Sequence, residues 1–469
     1  MNTLLSVALL TTAVSAYTPE ALADQVTDLP GSENINIPFN QFSGYLPVDG
    51  AAEGSKKMHY WLVESEGNPA TDPVTFWTNG GPGCSGLLGF LTEQGPFQPN
   101  ADKTLTVNDF AWNKVSNMVF IESPAGVGFS YSDMEEDYTT GDAQTASDNY
   151  YLIQEFMKRF PEYASNDLYI SSESYGGHYM PTLAKEIVTQ NANSTNPALN
   201  FKGFAVGNPY TDVYSGTPAM IDTYWGHQMI PKPVYDEYAA KCVDSKVPHP
   251  KDCLNLEIEI NTMVGDINPY ALDYPVCLED SPARSGRAQR TWLFNHMHGI
   301  KNSKASKKNL RALAEEPAYQ PCEENFASAY LNDLSVQNAL HVNHMIWEEC
   351  SFKVNYDMAD SSVSTAPIYN YLIDGGFGLN ILVFSGDDDG VCATIGTQNW
   401  IWDLGYDPKG KIWQSYEVND QVAGYFSQWK DTKLGFLTIH GAGHEVPAYK
   451  PEIALDMFTR YLAGEFTSA

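Results

Sequence analysis

Positive charge is scarce in this chain. Its 469 residues include 27 lysines and arginines against 58 aspartates and glutamates, for a net charge of −31. Such a surface repels phosphate backbones and anionic bilayers, which excludes nucleic-acid binding and electrostatic attachment to membranes. It suits a protein that stays soluble at mildly acidic pH. Long apolar runs are missing too: after the first 16 residues no stretch reaches the ~20 residues that a membrane-spanning helix needs. Those 16 residues read as a secretory signal peptide, with a short apolar core over 4–14 and a small-residue cleavage site at Val14-Ser15-Ala16. Cysteines are few. The seven, Cys84, Cys242, Cys253, Cys277, Cys322, Cys350 and Cys392, show no zinc-ligand spacing. In an oxidising compartment an odd count predicts three disulfides and one free thiol. Neither His341/His344 nor His296/His298 has metal partners in sequence, so these read as structural, and no metal or cofactor is implied. There is no internal repeat. The one glycosylation sequon, Asn193-Ser194-Thr195, sits in the polar stretch 190–196.

What is present is an alternation of strand-like and helix-like segments. Apolar runs at 58–63, 74–77, 118–121, 168–171, 201–206, 381–384 and 435–439 read as strands. Segments 142–160, 177–190 and 451–462 have helical character. Strands alternating with helices predict an α/β fold with a mostly parallel central sheet. The texture changes over 211–350, where four of the seven cysteines lie from Cys242 to Cys322, and the region reads as an insertion capping one end of the sheet. Within it, 281–314 has no acidic residue and eight basic ones. Two readings of that stretch stay open, a solvated loop and an excised processing linker. The expected organisation is a signal peptide (1–16), a first core part (17–210), the cap (211–350) and a second core part (351–469).

Three side chains stand immediately after predicted strands, in the order Ser174, Asp389, His444. Ser174 lies between a strand and a helix with small residues, Ser172 and Gly176, two positions away on either side. That is the layout of a nucleophile elbow, with Ser172 where the strict pattern has glycine. Catalytic groups in open α/β sheets gather at the carboxyl ends of strands. A serine hydroxyl becomes a nucleophile when a histidine takes its proton and a carboxylate holds that histidine in the right tautomer. The order Ser, Asp, His is that of α/β-hydrolases. The run Asn79-Gly80-Gly81-Pro82-Gly83-Cys84-Ser85-Gly86 follows another strand and reads either as a tight turn or as an anion cradle of backbone N–H groups.

These motifs, with Ser123-Pro124-Ala125-Gly126-Val127-Gly128-Phe129-Ser130-Tyr131, Glu173-Ser174-Tyr175-Gly176-Gly177, Gly386-Asp387-Asp388-Asp389 and Gly443-His444-Glu445-Val446-Pro447, resemble those of the serine carboxypeptidases. The resemblance runs from Leu29-Pro30-Gly31 to the last helix. It implies an α/β-hydrolase fold and an exopeptidase that releases C-terminal residues through an acyl-enzyme. Ser174, Asp389 and His444 would be the triad, and Gly81 and Tyr175 the oxyanion donors. Asn79, Glu93 and Glu173 would hold the substrate's terminal carboxylate, a role that favours acidic pH because a neutral carboxyl donates to a carboxylate and an ionised one repels it. Leu88, Thr92 and Glu445 would surround the leaving residue, with Glu445 favouring Lys or Arg and the other two leaving an apolar preference open. The implied disulfides are Cys84–Cys350, Cys242–Cys253 and Cys277–Cys322, with Cys392 free near the active site. The implied partners are peptides and proteins with a free C-terminus, and the implied location is the secretory pathway, secreted or vacuolar/lysosomal. Oligomeric state stays open, a homodimer included. Relatives also act as acyltransferases or bind and protect partner proteins, and these are the alternative functions.

Overall fold

The computed structural model describes residues 17–48, 55–213, 215–242, 250–277 and 321–467. The expected signal peptide, the basic stretch 281–314 and His296/His298 lie outside the described residues.

Eleven strands form one sheet: β1 (Gln41–Pro47), β2 (Lys56–Val63), β3 (Val74–Thr78), β4 (Asn117–Ile121), β5 (Tyr131–Ser132), β6 (Leu168–Glu173), β7 (Phe201–Gly207), β8 (Asn380–Gly386), β9 (Gln414–Val418), β10 (Gln421–Gln428) and β11 (Leu434–Ile439). Their spatial order is β1-β2-β4-β3-β6-β7-β8-β11-β10-β9, and the short β5 pairs with β2. The centre, from β4 to β11, is parallel. Both margins are antiparallel.

The central strands are nearly continuous apolar runs because both faces of the sheet are covered. Successive side chains point to opposite faces. Phe76, Ile170, Phe204, Val206, Ile381 and Val383 enter one core, while Trp77, Tyr169, Ala205, Leu382, Phe384 and Leu437 enter the other. The first core is closed by α2 (Asp142–Arg159) and α3 (Gly176–Asn193), through Tyr150, Ile153, Phe156, Leu183 and Ile187. The second is closed by α1 (Gly86–Thr92) and α11 (Pro451–Leu462), through Leu87, Phe90, Leu91, Phe458 and Tyr461. Between β7 and β8 the described chain carries α4 (Thr217–Gly226), α5 (Lys232–Lys241), α6 (Lys251–Val264), α7 (Glu323–Leu331), α8 (Leu334–Ala339) and α9 (Ala366–Asp374), and α10 (Thr394–Trp402) follows β8.

The seven strands read from the sequence are all present. Strand β1, the two-residue β5 and the β9–β10 hairpin escaped that reading. Strand β1 is Gln-Phe-Ser-Gly-Tyr-Leu-Pro, with Gly and Pro that weaken strand propensity, and the hairpin strands mix buried and exposed positions, with Gly424 inside the second. Three disulfides are formed, Cys84–Cys350, Cys242–Cys253 and Cys277–Cys322, and Cys392 is a free, buried thiol. No described helix is long and apolar enough to cross a membrane.

Candidate active site

Five of the parallel strands deliver their following loops to one end of the sheet. The loop after β3 is the glycine run, β6 leads into Ser174, β7 into Asn208, β8 into Asp387–Asp389, and β11 into the loop that ends at His444.

Ser174 sits at the turn from β6 into α3 with φ of 59°, in the left-handed region that non-glycine residues rarely adopt. Its backbone is tied on both sides: its N–H donates to the Gly207 carbonyl (3.0 Å), and its carbonyl accepts from Tyr210 (2.8 Å) and Gly177 (2.9 Å). Small residues are required around it. A Cβ on Gly176 would lie 2.3 Å from the Ser172 hydroxyl, and one on Gly177 would lie 2.3 Å from the Tyr210 carbonyl. Ser172 therefore fits where the strict motif has glycine because its neighbour across the elbow has no side chain.

His444 is buried, and its Nδ1 lies 2.7 Å from Oδ2 of Asp389. Asp389 is fully buried and accepts three further hydrogen bonds, from Asn208 Nδ2 (2.9 Å), Val391 N–H (2.6 Å) and Cys392 N–H (3.1 Å). Such donors fix the carboxylate's orientation. Asn208 is held in turn by both amide atoms, its Oδ1 accepting from Gly386 N–H and its Nδ2 also donating to the Gly386 carbonyl. The backbone N–H of His444 donates to the Tyr270 carbonyl at 2.7 Å, and the Tyr270 ring meets the imidazole edge-on.

The glycine run packs directly on the elbow: a Cβ at Gly80 would lie 2.5 Å from Tyr175 N and 2.8 Å from Ser174 Cβ. Gly81 has φ of 113°, a conformation left to glycine. Gly83 N–H donates to the Tyr179 hydroxyl, which anchors the loop to α3. Among the described residues, the N–H groups of Gly81 and Tyr175 donate to no protein acceptor.

Beside Ser174 lies a buried cluster centred on Asn79. Its Oδ1 accepts from Trp77 Nε1 (2.8 Å) and Gly89 N–H (3.1 Å), which leaves its Nδ2 to face Glu173 Oε1 (2.9 Å) and Glu93 Oε1 (3.1 Å). Glu93 and Glu173 are 1% and 4% exposed. Asn79, Glu173, Gly80, Gly81, Ser174, His444, Leu88 and Glu445 line one cavity with Tyr270 and Glu349. Thr92 is one helical turn beyond Leu88, its hydroxyl bonded to the Leu88 carbonyl.

Cys392 is buried against this site, with its thiol in hydrogen-bonding contact with Ser174; burial first, then the charges of Asp389 and Glu173, push the thiol pKa up. Asp388, next to Asp389, is raised to about 6, mainly by burial. His341 and His344 bond to the Ser43 carbonyl and the Asn338 side chain. Asn193 lies exposed in the last turn of α3. Sequence reasoning missed Asn208, Tyr270 and Glu349. Asn208 follows a parallel strand directly, a signal equal to that of Asp389. Tyr270 and Glu349 have no such signature and reach the site only through the tertiary fold.

The serine carboxypeptidase family model matches residues 30–464. Serine carboxypeptidase-like 26 of Arabidopsis thaliana is 37% identical over 452 residues, covering 94% of this chain and 92% of that protein. Serine carboxypeptidase 24 of the same plant is 36% identical over 473 residues, covering 98% and 97%. Among solved structures, Kex1(delta)p, a prohormone-processing carboxypeptidase from Saccharomyces cerevisiae, superposes with a TM-score of 0.75 at 20% identity, covering 95% of this chain and 96% of the other. The fold is that of the α/β-hydrolases, and the chain belongs to the serine carboxypeptidase family.

Proposed function

We propose that this protein is an acid-favouring serine carboxypeptidase that releases single C-terminal residues from peptides. In this reading Ser174 Oγ attacks the scissile carbonyl and His444 Nε2 takes its proton, while Asp389 holds Nδ1. The N–H groups of Gly81 and Tyr175 receive the oxyanion, where losing one donor commonly costs ~2.7–4 kcal/mol. His444 then protonates the departing amino acid, and water, activated by the same imidazole, hydrolyses the acyl-enzyme.

The observation that carries the reading is the Asn79 amide facing Glu93 and Glu173 beside the nucleophile. Two buried carboxyl groups at one amide disfavour double ionisation, so the pair retains a proton at mildly acidic pH. A protonated carboxyl and the Asn79 amide can both donate to a peptide's terminal carboxylate. An esterase or endopeptidase has no use for such a cluster. A blocked dipeptide with a free C-terminus is expected to turn over at least ~10-fold better, in kcat/KM at pH 5, than its C-terminal amide, the worth of one hydrogen bond to a charged group. Equal turnover would sink the assignment. Transfer of the acyl group to a small alcohol in place of hydrolysis would make the protein an acyltransferase, and no turnover of either kind would make it a binding protein.

Specificity follows from the same cavity. Glu445 and Glu349 bring carboxyl groups to its wall alongside Leu88, which supports a preference for Lys or Arg as the leaving residue. Glu445→Met is expected to lower the ratio of Lys to Leu release several-fold, and an unchanged ratio refutes the preference. Tyr270 and Glu349 also support reading 211–350 as a cap that supplies one wall of the site. Three disulfides support passage through the secretory pathway.

A further inference from the structure

Next to Asp389 along the chain, three side chains from distant parts of the sequence converge. His227 follows the C-terminus of α4, Asp273 lies in the loop after α6, and Asp388 immediately precedes Asp389. One nitrogen of His227 and one carboxylate oxygen from each aspartate all lie within 4.8 Å of one another. We propose that His227, Asp273 and Asp388 form a binding site for one divalent first-row transition-metal ion, Zn2+ being the fitting probe.

Convergence of acidic groups alone would not carry this. The second observation is the state of Asp388. Its side chain is 3% exposed, and Oδ1 is buried without a hydrogen-bond donor, while Oδ2 takes only the Asp273 N–H at 3.0 Å. A carboxylate with an unsatisfied buried oxygen is costly unless a proton or a cation compensates it. Its neighbour Asp387 has no such deficit: it accepts from Gly441 N–H and bonds His440. The His227 ring, for its part, makes no hydrogen bond or ion pair among the described residues, and it stands at a helix C-terminus, whose partial negative charge favours a cation.

The donor set selects the ion. One imidazole and two carboxylates suit Zn2+ or Mn2+, with water completing the shell, because His227 and Asp273 reach solvent. Ca2+ and Mg2+ prefer all-oxygen sets and fit less well. The Asp388 backbone places this site where an ion would matter. Leu272 N–H donates to the Asp388 carbonyl and Gly390 N–H to the Pro269 carbonyl, so the 269–273 loop is already laced to the turn that bears Asp389. That loop also carries Tyr270, whose carbonyl receives the His444 N–H. An ion would staple the two segments together through residues that do not line the Ser174 cavity.

The test uses the full mature protein, stripped with chelator, and titrates ZnCl2 by calorimetry with parallel thermal melts. One saturable equivalent is expected, with a melting temperature that rises with Zn2+ concentration. His227→Ala and Asp273→Asn, both at the surface and so expected to fold, should each weaken binding by more than about 10-fold, the scale on which even outer-shell changes weaken metal sites. Ser174→Ala should leave binding intact. No saturable binding overturns the proposal. So does Zn2+ that binds His227→Ala and Asp273→Asn as tightly as the parent, which would place the ion on another group such as His440. The readout is binding and stability, so it stands or falls separately from the peptidase assay.

Discussion

Asn79 shows how one side chain can fix the chemistry of its neighbours. Two donors on its Oδ1 determine which way the amide points, and both N–H bonds of Nδ2 then face carboxyl oxygens. Asp389 is fixed in the same manner by its backbone donors and Asn208, and it passes that order on to His444. Cys392 is the reactive group this arrangement silences. It is 1% exposed, and its thiol pKa is held well above the ordinary value, so it stays neutral although it touches Ser174. Iodoacetamide at pH 8 is therefore expected to leave Cys392 unmodified in the native protein and to modify it after unfolding, as read by peptide mass spectrometry. Rapid native alkylation would show that the site breathes far more than its packing implies. The residues legible in the sequence were those in short motifs directly after strands: Ser174, Asp389, His444, Asn79 and the glycine run. Glu349 and Tyr270 were not, because only the folded path of the chain between β7 and β8 brings them to the cavity.

At the level of elements, the glycine run is held by more than its own turn. Ser85 caps α1 with its side chain, and its hydroxyl also donates to Glu122 at the end of β4. Glu122 is fully buried and collects Trp347 Nε1 (2.8 Å), Phe129 N–H (2.8 Å) and His59 Nδ1 (2.9 Å), while His59 Nε2 meets Ser43. One carboxyl group thus joins β1, β2, the β4–β5 loop, α1 and the segment that returns through Cys350 to the glycine run. Glu122→Leu would strand several buried donors, each at about 1–3 kcal/mol. The expected result is a drop in melting temperature of many degrees or failure to fold, with Glu122→Gln milder because it keeps an acceptor; a melting temperature within a degree of the parent for the Leu variant refutes this role. None of this network was legible in advance. A buried Glu after a strand looks like any turn residue in sequence, and β1, which supplies Ser43, was not recognised as a strand at all. The central parallel strands were legible for the opposite reason, since burial on both faces leaves an uninterrupted apolar run.

For the whole molecule, the dominant fact is the net charge of −31. At neutral pH nearly every surface carboxylate is ionised, and self-repulsion works against the compact state. Carboxyl groups raised by burial add to this. Asp388 is raised to about 6, and Glu162 and Asp456 are raised, each mainly because burial disfavours the charged form. A group whose folded pKa lies above its unfolded value near 4 gives its full stabilisation below that unfolded value and loses it as pH climbs through the folded pKa. For Asp388 the loss falls between about pH 4 and 6. Asp333 runs the other way: its ion pair with Lys103 and its bonds from Ser335 lower its pKa, so its contribution is present above the ordinary carboxyl range and fades as pH falls below it. It is exposed to solvent and counts for little against the rest. The two trends together place maximal stability at mildly acidic pH. Melting temperature, measured with chelator present so that no bound ion contributes, is expected to be several degrees higher at pH 5 than at pH 7.5 in low salt. Added salt should narrow the gap without closing it. It screens repulsion between surface charges over about 10 Å at 0.1 M, but it does not reach the buried Asp388 carboxyl. A melting temperature that is highest at pH 7.5 in low salt would show that neither surface repulsion nor the buried carboxyls govern the stability of this fold.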